Sequence, residues 1–205
     1  MIATGRPALT DVVVRPMRER QIRRVVAIER RVHPRPWSAQ LFDDELKRRD
    51  TRRYVVALAR TRWPWRSVVG YGGVLLQGDD AHITTIAVDP AHHRRKVGTH
   101  LVLRLLTEAR AMDAQQATLE VRAANRGAQR LYSAFGFVPV GVRPRYYAET
   151  GEDAVIMTVA DLQSDECTRR LAAQTARLAD PGGASGAPDE PVPWVRRRSA
   201  RKGGN

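Results

Sequence analysis

Apolar and polar residues alternate along this chain with two periods, and the changes from one period to the other predict the order of its elements. Helical spacing gives an apolar face to residues 19–32 and to a second helix, ending near residue 48, that Ser38 can cap. Short β-compatible runs that end at turn residues predict strands at 12–15, 54–59, 68–76, 82–88, 117–121, 137–142 and 154–159. The predicted order is a strand, two helices, three strands, and then alternating helix and strand, without an internal repeat.

Two more helices are predicted between the later strands. Apolar residues at helical spacing run from Val97 to Met112. Asn125 is a preferred N-cap residue, and Gly136 can close the helix that follows it as a C′ residue. Asn125 and Tyr132 then lie on one helix face, roughly 10 Å apart along the axis.

The periodic pattern decays after Leu162. Residues 165–178 have the spacing of one more helix, whereas 181–193 are rich in Pro, Gly, Ala and acidic residues, and 196–202 form a basic run. The predicted organisation is a flexible N-terminus at 1–11, one domain at 12–162, and a mostly disordered Pro/Gly/Arg-rich tail at 163–205. Deletion of that tail is expected to leave turnover within a few-fold.

Length and composition suit one domain with a real core, because the chain has 205 residues and 42% of them are hydrophobic. Cys167 is the only cysteine, which excludes an intrachain disulfide and favours a reducing compartment. No apolar run reaches the roughly 18 residues of a membrane span, and residues 1–10 lack the apolar block of a secretory signal. We therefore expect a cytoplasmic, soluble protein.

The chain is strongly basic, with a net charge of +13, of which +10 falls on residues 1–162. A basic surface attracts anions in general, so coenzyme A phosphates, ribosomal RNA or an acidic peptide would all fit. Charge alone does not choose among these partners.

A carboxylate, an amide and a phenol surround the predicted turn between the strand at 117–121 and the helix after it. Glu120 is on the strand, Asn125 caps the helix, and Tyr132 lies on the helix face. Each residue taken singly has a structural explanation: a solvated strand position, a helix cap and a packed aromatic. Together they are the groups needed to move an acyl group onto an amine.

As an ordered string, these residues resemble the signature LEVRxxNxxAxxLYxxxGF of the Gcn5-related N-acetyltransferase (GNAT) superfamily. Within it they resemble the bacterial ribosomal-protein-alanine N-acetyltransferases (RimI-like enzymes). The resemblance implies an α/β (α+β) acyl-CoA N-acyltransferase fold, with a central mixed sheet flanked by helices, over about 12–162. It also implies acetyl-CoA as co-substrate, Glu120 as general base, Tyr132 as general acid, and a hydrogen bond from Asn125 to the cofactor.

The segment from His92 to Thr99 is the candidate cofactor loop, because it joins a strand to a helix whose first backbone N–H groups can hold a pyrophosphate. A basic loop without a ligand is the alternative. The resemblance adds that the strand before it presents backbone groups to the pantetheine arm and polarises the thioester carbonyl near Val88. The predicted cofactor-binding residues are Ile86, Ala87, Val88, Arg94, Arg95, Lys96, Val97, Gly98, Thr99 and Asn125.

Lys96 departs from the superfamily loop Q/RxxGxG/A, in which a glycine occupies its position when the two are aligned on Gly98. A left-handed lysine costs about 1 to 2 kcal/mol, unless the loop is reshaped and the ammonium contacts a phosphate instead. We therefore expect Lys96→Gly to lower the KM or Kd for acetyl-CoA.

Two further segments resemble the ribosomal-protein-alanine branch and predict an acceptor groove. They are Pro36-Trp37-Ser38, and the stretch Arg143 to Tyr147 followed by Glu152-Asp153-Ala154. Trp37, Tyr146 and Tyr147 are the predicted substrate-binding residues, although each could be a packing aromatic. The implied reaction acetylates the N-terminal alanine of a small-subunit ribosomal protein.

Other acceptors stay open: further protein N-termini, lysine side chains or small amines. A degenerate domain that binds ribosome or RNA through its basic surface and tail is the alternative from another class. No membrane and no specific nucleic acid are expected as partners, although the basic surface and tail could contact RNA. No metal is expected, because the five histidines lack the spacing of a zinc site.

Overall fold

The computed structural model describes residues 12–62 and 65–179, and a mixed seven-stranded sheet forms its centre. The strands are β1 (Val12–Pro16), β2 (Arg52–Arg62), β3 (Trp65–Gln77), β4 (Asp80–Val88), β5 (Gln116–Arg122), β6 (Val138–Tyr147) and β7 (Glu152–Val159). Their order in the sheet is β1-β2-β3-β4-β5-β7-β6. The β4–β5 pair is parallel and the other neighbouring pairs are antiparallel. The predicted mixed sheet and the order of elements along the chain are confirmed.

Five α-helices flank the sheet in the described part of the chain. They are α1 (Ile22–Val32), α2 (Ala39–Lys47), α3 (Val97–Ala111), α4 (Arg126–Ser133) and α5 (Asp165–Ala179). A short 3₁₀ turn, Glu19–Gln21, comes directly before α1, so the helix predicted from residue 19 starts with a tighter turn. Ser38 caps α2 as predicted, because its Oγ accepts a hydrogen bond from the Leu41 N–H at 3.1 Å. None of these helices is both long and apolar enough to cross a membrane.

The sheet buries both of its faces, as the two-residue period of a strand requires. Along β2, Val55 and Ala57 belong to the apolar cluster that contains α3, while Tyr54 and Val56 belong to the cluster that contains α1 and α2. The first cluster is centred on Leu101 and other α3 side chains, and the second contains Phe42 and Tyr71. The domain is therefore three layers thick, with helices on each side of the sheet.

The folded part continues past Leu162, where the sequence placed the end of the domain. Cys167 and Leu171 of α5 are buried in the same cluster as α3, and the Gln174 side chain donates to the Ala134 carbonyl at 2.8 Å. The helix predicted at 165–178 is thus present and packed, and the folded part extends at least to Ala179. The predicted flexible N-terminus at 1–11 and the remainder of the predicted tail, 180–205, lie outside the described residues.

Candidate active site

Strands β4 and β5 separate soon after they begin, and the separation creates the candidate site. They pair over three residue pairs, from Asp80 and Gln116 to His82 and Thr118. Both strands then continue, but the described residues show no further pairing between them. A cavity of about 350 Å³ lies beside this gap, lined by residues of α1, the loop after it, β4, β5, α4 and β6.

Seven of the predicted site residues line this one cavity. They are Trp37, Ile86, Glu120, Asn125, Tyr132, Tyr146 and Tyr147. The remaining predicted residues do not line it. Ala87 is buried on the sheet face that carries α1 and α2, because it alternates with Ile86 along β4, and it has only backbone groups to offer a ligand. Residues 94–99 lie beyond the end of β4, at the start of α3.

Glu120 is oriented by two basic side chains. Its neighbours Leu119 and Val121 point into the core, so strand alternation directs Glu120 to the cavity face. One carboxylate oxygen lies 3.3 Å from His82 Nε2, and the other lies 3.4 Å from Arg143 Nη1. The Glu120 side chain is only 8% exposed, whereas that of His82 is 33% exposed and that of Arg143 is 55% exposed. The carboxylate is therefore held in place and nearly removed from bulk water.

Tyr132 presents a protonated phenol to the same cavity. Burial raises the pKa of its hydroxyl well above the ordinary value, and the nearby Tyr147 raises it further. The ring packs against Phe137 with 5.9 Å between ring centroids. The hydroxyl makes no hydrogen bond to any of the described residues, so its proton is available to a bound molecule.

The turn between β5 and α4 sets the relative positions of Glu120, on the strand, and Tyr132, on the helix. Asn125 caps α4 as predicted, because its Oδ1 accepts from the Ala128 N–H at 3.1 Å. That contact leaves the side-chain NH₂ group as a donor. Gln129 is buried, and its side chain donates to the carbonyls of Arg122 and Ala123, both at 3.0 Å. Sequence reasoning missed Gln129. An amide side chain beside the apolar face of a short helix is nevertheless a signal that the amide is buried and has hydrogen-bond partners within the protein.

The predicted closing glycine of this helix has the expected geometry. Gly136 has φ of 91°, its N–H donates to the Ser133 carbonyl at 2.9 Å, and the Phe137 N–H donates to the Tyr132 carbonyl at 3.2 Å. These two bonds form a Schellman motif, which ends the helix immediately after the Tyr132 turn. The Arg170 guanidinium of α5 occupies the space that a Cβ at this position would need.

A second carboxylate, which sequence reasoning missed, supports the predicted acceptor side. Glu29 of α1 is 2% exposed, and its Oε1 accepts from the Trp37 N–H at 3.0 Å. Its Oε2 lies 3.6 Å from His33 Nε2. Burial raises the pKa of the Glu29 carboxyl and lowers the pKa of the His33 imidazole. Glu29 falls on the apolar face of α1, at helical spacing from Val25 and Val26. A carboxylate on an apolar helix face is the sequence signal that could have identified it as a buried, partnered residue.

Tyr146 and Tyr147, the tyrosines predicted to bind the acceptor, lie at a register shift in β6, and Tyr147 contacts an arginine. The Arg122 guanidinium lies 3.8 Å from the Tyr147 ring centroid and bonds Glu149 at 2.5 Å and Glu152 at 3.1 Å. Burial raises the pKa of Tyr147 to about 12. Arg145 has a positive φ of 52°, and the Tyr146 and Tyr147 rings then meet edge to face, 5.2 Å apart.

In the loop before α3, Lys96 has the left-handed conformation that usually favours glycine. Lys96 has φ of 59° and ψ of 9°, and Arg94 also has a positive φ of 60°. The Lys96 ammonium donates to the Arg177 carbonyl near the end of α5, at 3.1 Å. His93 Nε2 lies 3.0 Å from the Val88 carbonyl oxygen. The loop is thus not reshaped, and the ammonium has a partner within the protein; a contact with phosphate stays a prediction.

Asp89 secures the start of this loop. It is 1% exposed, accepts from the Ala91 N–H at 3.1 Å, and forms ion pairs with Arg24 at 3.4 Å and Arg31 at 3.2 Å on α1. The first N–H groups of α3 have no partner inside the helix, which leaves them available to an anion. Among the residues that the structure describes, no group of three or more His, Cys, Asp or Glu side chains is placed to hold a metal ion.

Comparison with known proteins gives a consistent result. The family model described as "Acetyltransferase (GNAT) family" matches residues 22–137. A Bacillus subtilis (strain 168) protein named "Putative [ribosomal protein bS18]-alanine N-acetyltransferase" is 36% identical over 150 residues, which cover 73% of this chain and 96% of the relative. The Escherichia coli (strain K12) protein named "[Ribosomal protein bS18]-alanine N-acetyltransferase" is 33% identical over 134 residues, which cover 64% and 86%.

A solved structure agrees with these sequence matches. The crystal structure of the ribosomal-protein-S18-alanine N-acetyltransferase from Escherichia coli superimposes with a TM-score of 0.63 and 27% identity. The match covers 74% of this chain and 94% of that chain. The sheet and its helices therefore have the architecture of that enzyme.

Proposed function

The chain belongs to the acetyltransferase (GNAT) family, and from that premise we propose that its acceptor is the N-terminal alanine of a small-subunit ribosomal protein. It is an acetyl-CoA-dependent N-acetyltransferase. The observation that carries the proposed acceptor is that Glu120, Tyr132 and the aromatic residues Trp37, Tyr146 and Tyr147 all line one cavity beside the β4–β5 separation. We call these three aromatic residues the aromatic wall.

The residues beside the separation fit acetyl-CoA. Beyond His82, every other residue of β4 directs its backbone groups away from β3 and toward the gap, where an extended, amide-bearing arm can pair with them. The start of α3 and the side chains of Arg94 and Arg95 offer hydrogen-bond donors and positive charge for a pyrophosphate. Acetyl-CoA supplies an acetyl group activated as a thioester.

Glu120 is proposed as the general base. An α-amino group has a pKa of roughly 7.7 to 8.0, so at neutral pH it arrives mainly protonated and must lose a proton before it attacks. The Glu120 carboxylate can accept that proton directly or through one water. Arg143 holds one of its oxygens in place, while His82, which is more exposed than Glu120, contacts the other oxygen and provides a neighbour through which the proton can leave.

Tyr132 is proposed as the general acid. Its buried phenol keeps its proton at neutral pH because burial raises its pKa. As the C–S bond of the thioester breaks, the phenol can give its proton to the departing sulfur, and it regains a proton from the nitrogen that has formed the new amide bond. The phenol and the carboxylate line the same cavity, so one bound acceptor and donor pair can reach both.

The acceptor assignment is supported by the aromatic residues that line the same cavity, Trp37, Tyr146 and Tyr147. Glu29 fixes the backbone of Trp37, and Arg122 fixes Tyr147, so the aromatic side chains have defined positions. The relatives whose printed names specify an alanine acceptor cover most of the domain. A chain terminus can enter between the aromatic wall and Glu120 with its amino group leading.

The test is mass spectrometry of reactions with acetyl-CoA and peptides that begin with Ala, Ser or Met, or that carry a blocked N-terminus and one internal Lys. The expected result is rapid acetylation of the Ala peptide at its N-terminus. Glu120→Gln and Tyr132→Phe should each lower kcat/KM by about 10²- to 10⁴-fold. Preferential modification of the Lys peptide would contradict the proposed acceptor.

Two matched variants control for the chemistry of the substitutions. Glu166→Gln removes an exposed carboxylate of α5, and Tyr71→Phe removes a buried hydroxyl that has no hydrogen-bond partner. Neither residue lines the cavity. Both variants should retain wild-type kcat/KM, and a loss in either that equals the loss in its site counterpart would refute the assigned roles.

A further inference from the structure

A second cavity, of about 820 Å³, lies outside the site described above and shares none of its lining residues. It opens where β1 ends and β2 begins, and α2 and α3 complete its walls. Six arginines and three glutamates line it: Arg18, Arg20, Arg49, Arg52, Arg53, Arg104, Glu19, Glu45 and Glu108. We call it the arginine cavity. Its side chains carry a net charge of +3, which the proposed acetyl transfer does not use.

Two of the glutamates are already engaged by arginines in the walls. Glu45 accepts from Arg52 at 2.6 Å and from the Tyr54 hydroxyl at 2.8 Å. Glu108 contacts Arg104 at 2.6 Å and Arg53 at 3.8 Å. These contacts position the walls and neutralise most of their charge.

Three exposed arginines carry most of the remaining positive charge, and Glu19, the third glutamate of the lining, is exposed between two of them and forms no ion pair with a described residue. Because Arg53 and Arg104 share Glu108, the excess of one arginine there offsets Glu19 and the net charge stays +3. Arg18, Arg20 and Arg49 line the cavity, and their side chains form no ion pair with any residue in the described ranges. Like charges that converge on one concavity repel each other unless an anion joins them. Every cation of the lining is an arginine, whose planar fork suits the paired oxygens of a phosphate better than a lysine ammonium does.

The positive charge continues beyond the cavity along α1. Arg23 and Arg30 are seven residues apart on α1 and so lie on one side of it, and Arg20, three residues before Arg23 in the 3₁₀ turn, precedes them on the same side. Arg23 and Arg30 are exposed and also form no ion pair with described residues. Over ten residues this row extends for about 15 Å. An extended row of cations fits a chain of regularly spaced anions better than a single small anion.

We propose that the arginine cavity, together with the exposed row of Arg20, Arg23 and Arg30, binds the phosphate backbone of a nucleic acid. Backbone contacts of this kind position the protein without reading bases. The site is separate from the acetyl-transfer cavity, so both can be occupied at the same time. The proposal does not depend on the identity of the acceptor.

The experiment measures fluorescence anisotropy of a labelled 16-nucleotide RNA, and of DNA with the same sequence, with the full chain and a saturating concentration of CoA. The test variant combines Arg18→Gln, Arg20→Gln and Arg49→Gln. The control combines Arg130→Gln, Arg169→Gln and Arg177→Gln, three exposed arginines on α4 and α5. Both variants lose the same charge, so the comparison separates a located site from general attraction.

The test variant should bind at least about tenfold more weakly than the control variant. The slope of log K against log salt should become shallower by about 2 to 3 for the test variant only, since each lost phosphate contact contributes about 0.7 to 0.9. Turnover of the standard peptide should be unchanged in both variants, which shows that they are folded. Stronger binding of RNA than of DNA would identify RNA as the partner.

Equal loss of affinity in the two variants would overturn the proposal, because binding would then follow net charge alone. Tight binding of tripolyphosphate at the arginine cavity without any binding of RNA or DNA would also overturn it, in favour of a small-phosphate site. Selective binding of an acidic peptide that is lost in the test variant would replace the nucleic acid by a protein partner.

Discussion

Removal of helix α5 should destabilise the domain, contrary to what the sequence suggested. The sequence pattern predicts a tail at 163–205, whose deletion leaves turnover within a few-fold. In the structure, Cys167 is 2% exposed and Leu171 is 7% exposed in the main apolar cluster. The Gln163 side chain also donates to the Ala114 carbonyl at 2.9 Å. The segment from 163 to 179 is therefore part of the fold.

The magnitude follows from these contacts. A buried leucine contributes about 1.5–3 kcal/mol, and truncation of one to alanine costs about 2–5 kcal/mol. Leu171→Ala should lie at the lower end of that range, since the side chain is slightly exposed. Loss of the whole helix also exposes Leu162, now 0% exposed, and the α3 surface beneath α5. We expect a loss of about 3–6 kcal/mol, which is comparable with the total stability of roughly 5–15 kcal/mol of a typical domain.

Urea unfolding followed by far-UV circular dichroism tests this expectation on the full chain, a chain ending at residue 162, and a chain ending at residue 179. The chain ending at 179 keeps every described contact of α5 and should match the full chain in unfolding free energy and turnover. The chain ending at 162 should be unfolded, aggregated or far less stable. A chain ending at 162 that unfolds within about 1 kcal/mol of the full chain would refute the assigned role of α5, because a single net hydrogen bond already contributes that much.

Two further predictions concern the loop at the start of α3. Lys96→Gly relieves about 1 kcal/mol or more of left-handed strain but loses the bond to the Arg177 carbonyl, whereas Lys96→Met keeps the strain and loses the same bond. The Gly variant should therefore be the more stable of the two in urea and should lower the Kd for acetyl-CoA by calorimetry; an unchanged or higher Kd would contradict this. Burial and the Lys96 charge lower the pKa of His100 in the folded protein from its ordinary value of 6.5. At pH values near and below 6.5, the unfolded chain therefore binds more protons at His100 than the folded protein does. Stability should fall as the pH drops through and below 6.5, and less so in His100→Gln, as unfolding at pH 7.5 and 5.5 will show; equal slopes would exclude His100.

Elements with a strong local period were predictable from the sequence. The alternation of β2, the apolar face of α3 and the cap residues Ser38, Asn125 and Gly136 each depend on a few neighbouring residues, and all of them are present as expected. The sequence pattern predicts a strand only at 137–142, whereas β6 extends to Tyr147 although Pro144 argues against a strand there. The strand passes it through a register shift, with Arg145 in a left-handed conformation.

Residues of the site that come from distant parts of the chain were harder to predict. Glu120, Tyr132 and Asn125 formed one recognisable string, and they do line one cavity. His82 is 38 residues before Glu120 and Arg143 is 23 residues after it, so their contacts with its carboxylate exist only after the strands are arranged. A sequence pattern reports local spacing, and these ion pairs are set by the arrangement of the strands in the sheet.

The separation of β4 from β5 leaves two strand edges in the middle of a folded sheet. Exposed strand edges are templates for pairing with other chains, and proteins usually cover them. The paired residues up to His82 and Thr118 hold the two strands together at one end, so the opening between them is a wedge and not a fully exposed sheet edge. A ligand that fills the wedge completes the hydrogen bonding of the sheet, and its binding then adds to the folding energy, by about 2.7 kcal/mol at 100 times its Kd. The melting temperature of this protein will consequently depend on the concentration of acetyl-CoA around it, and the ligand-free protein will be the form most exposed to aggregation.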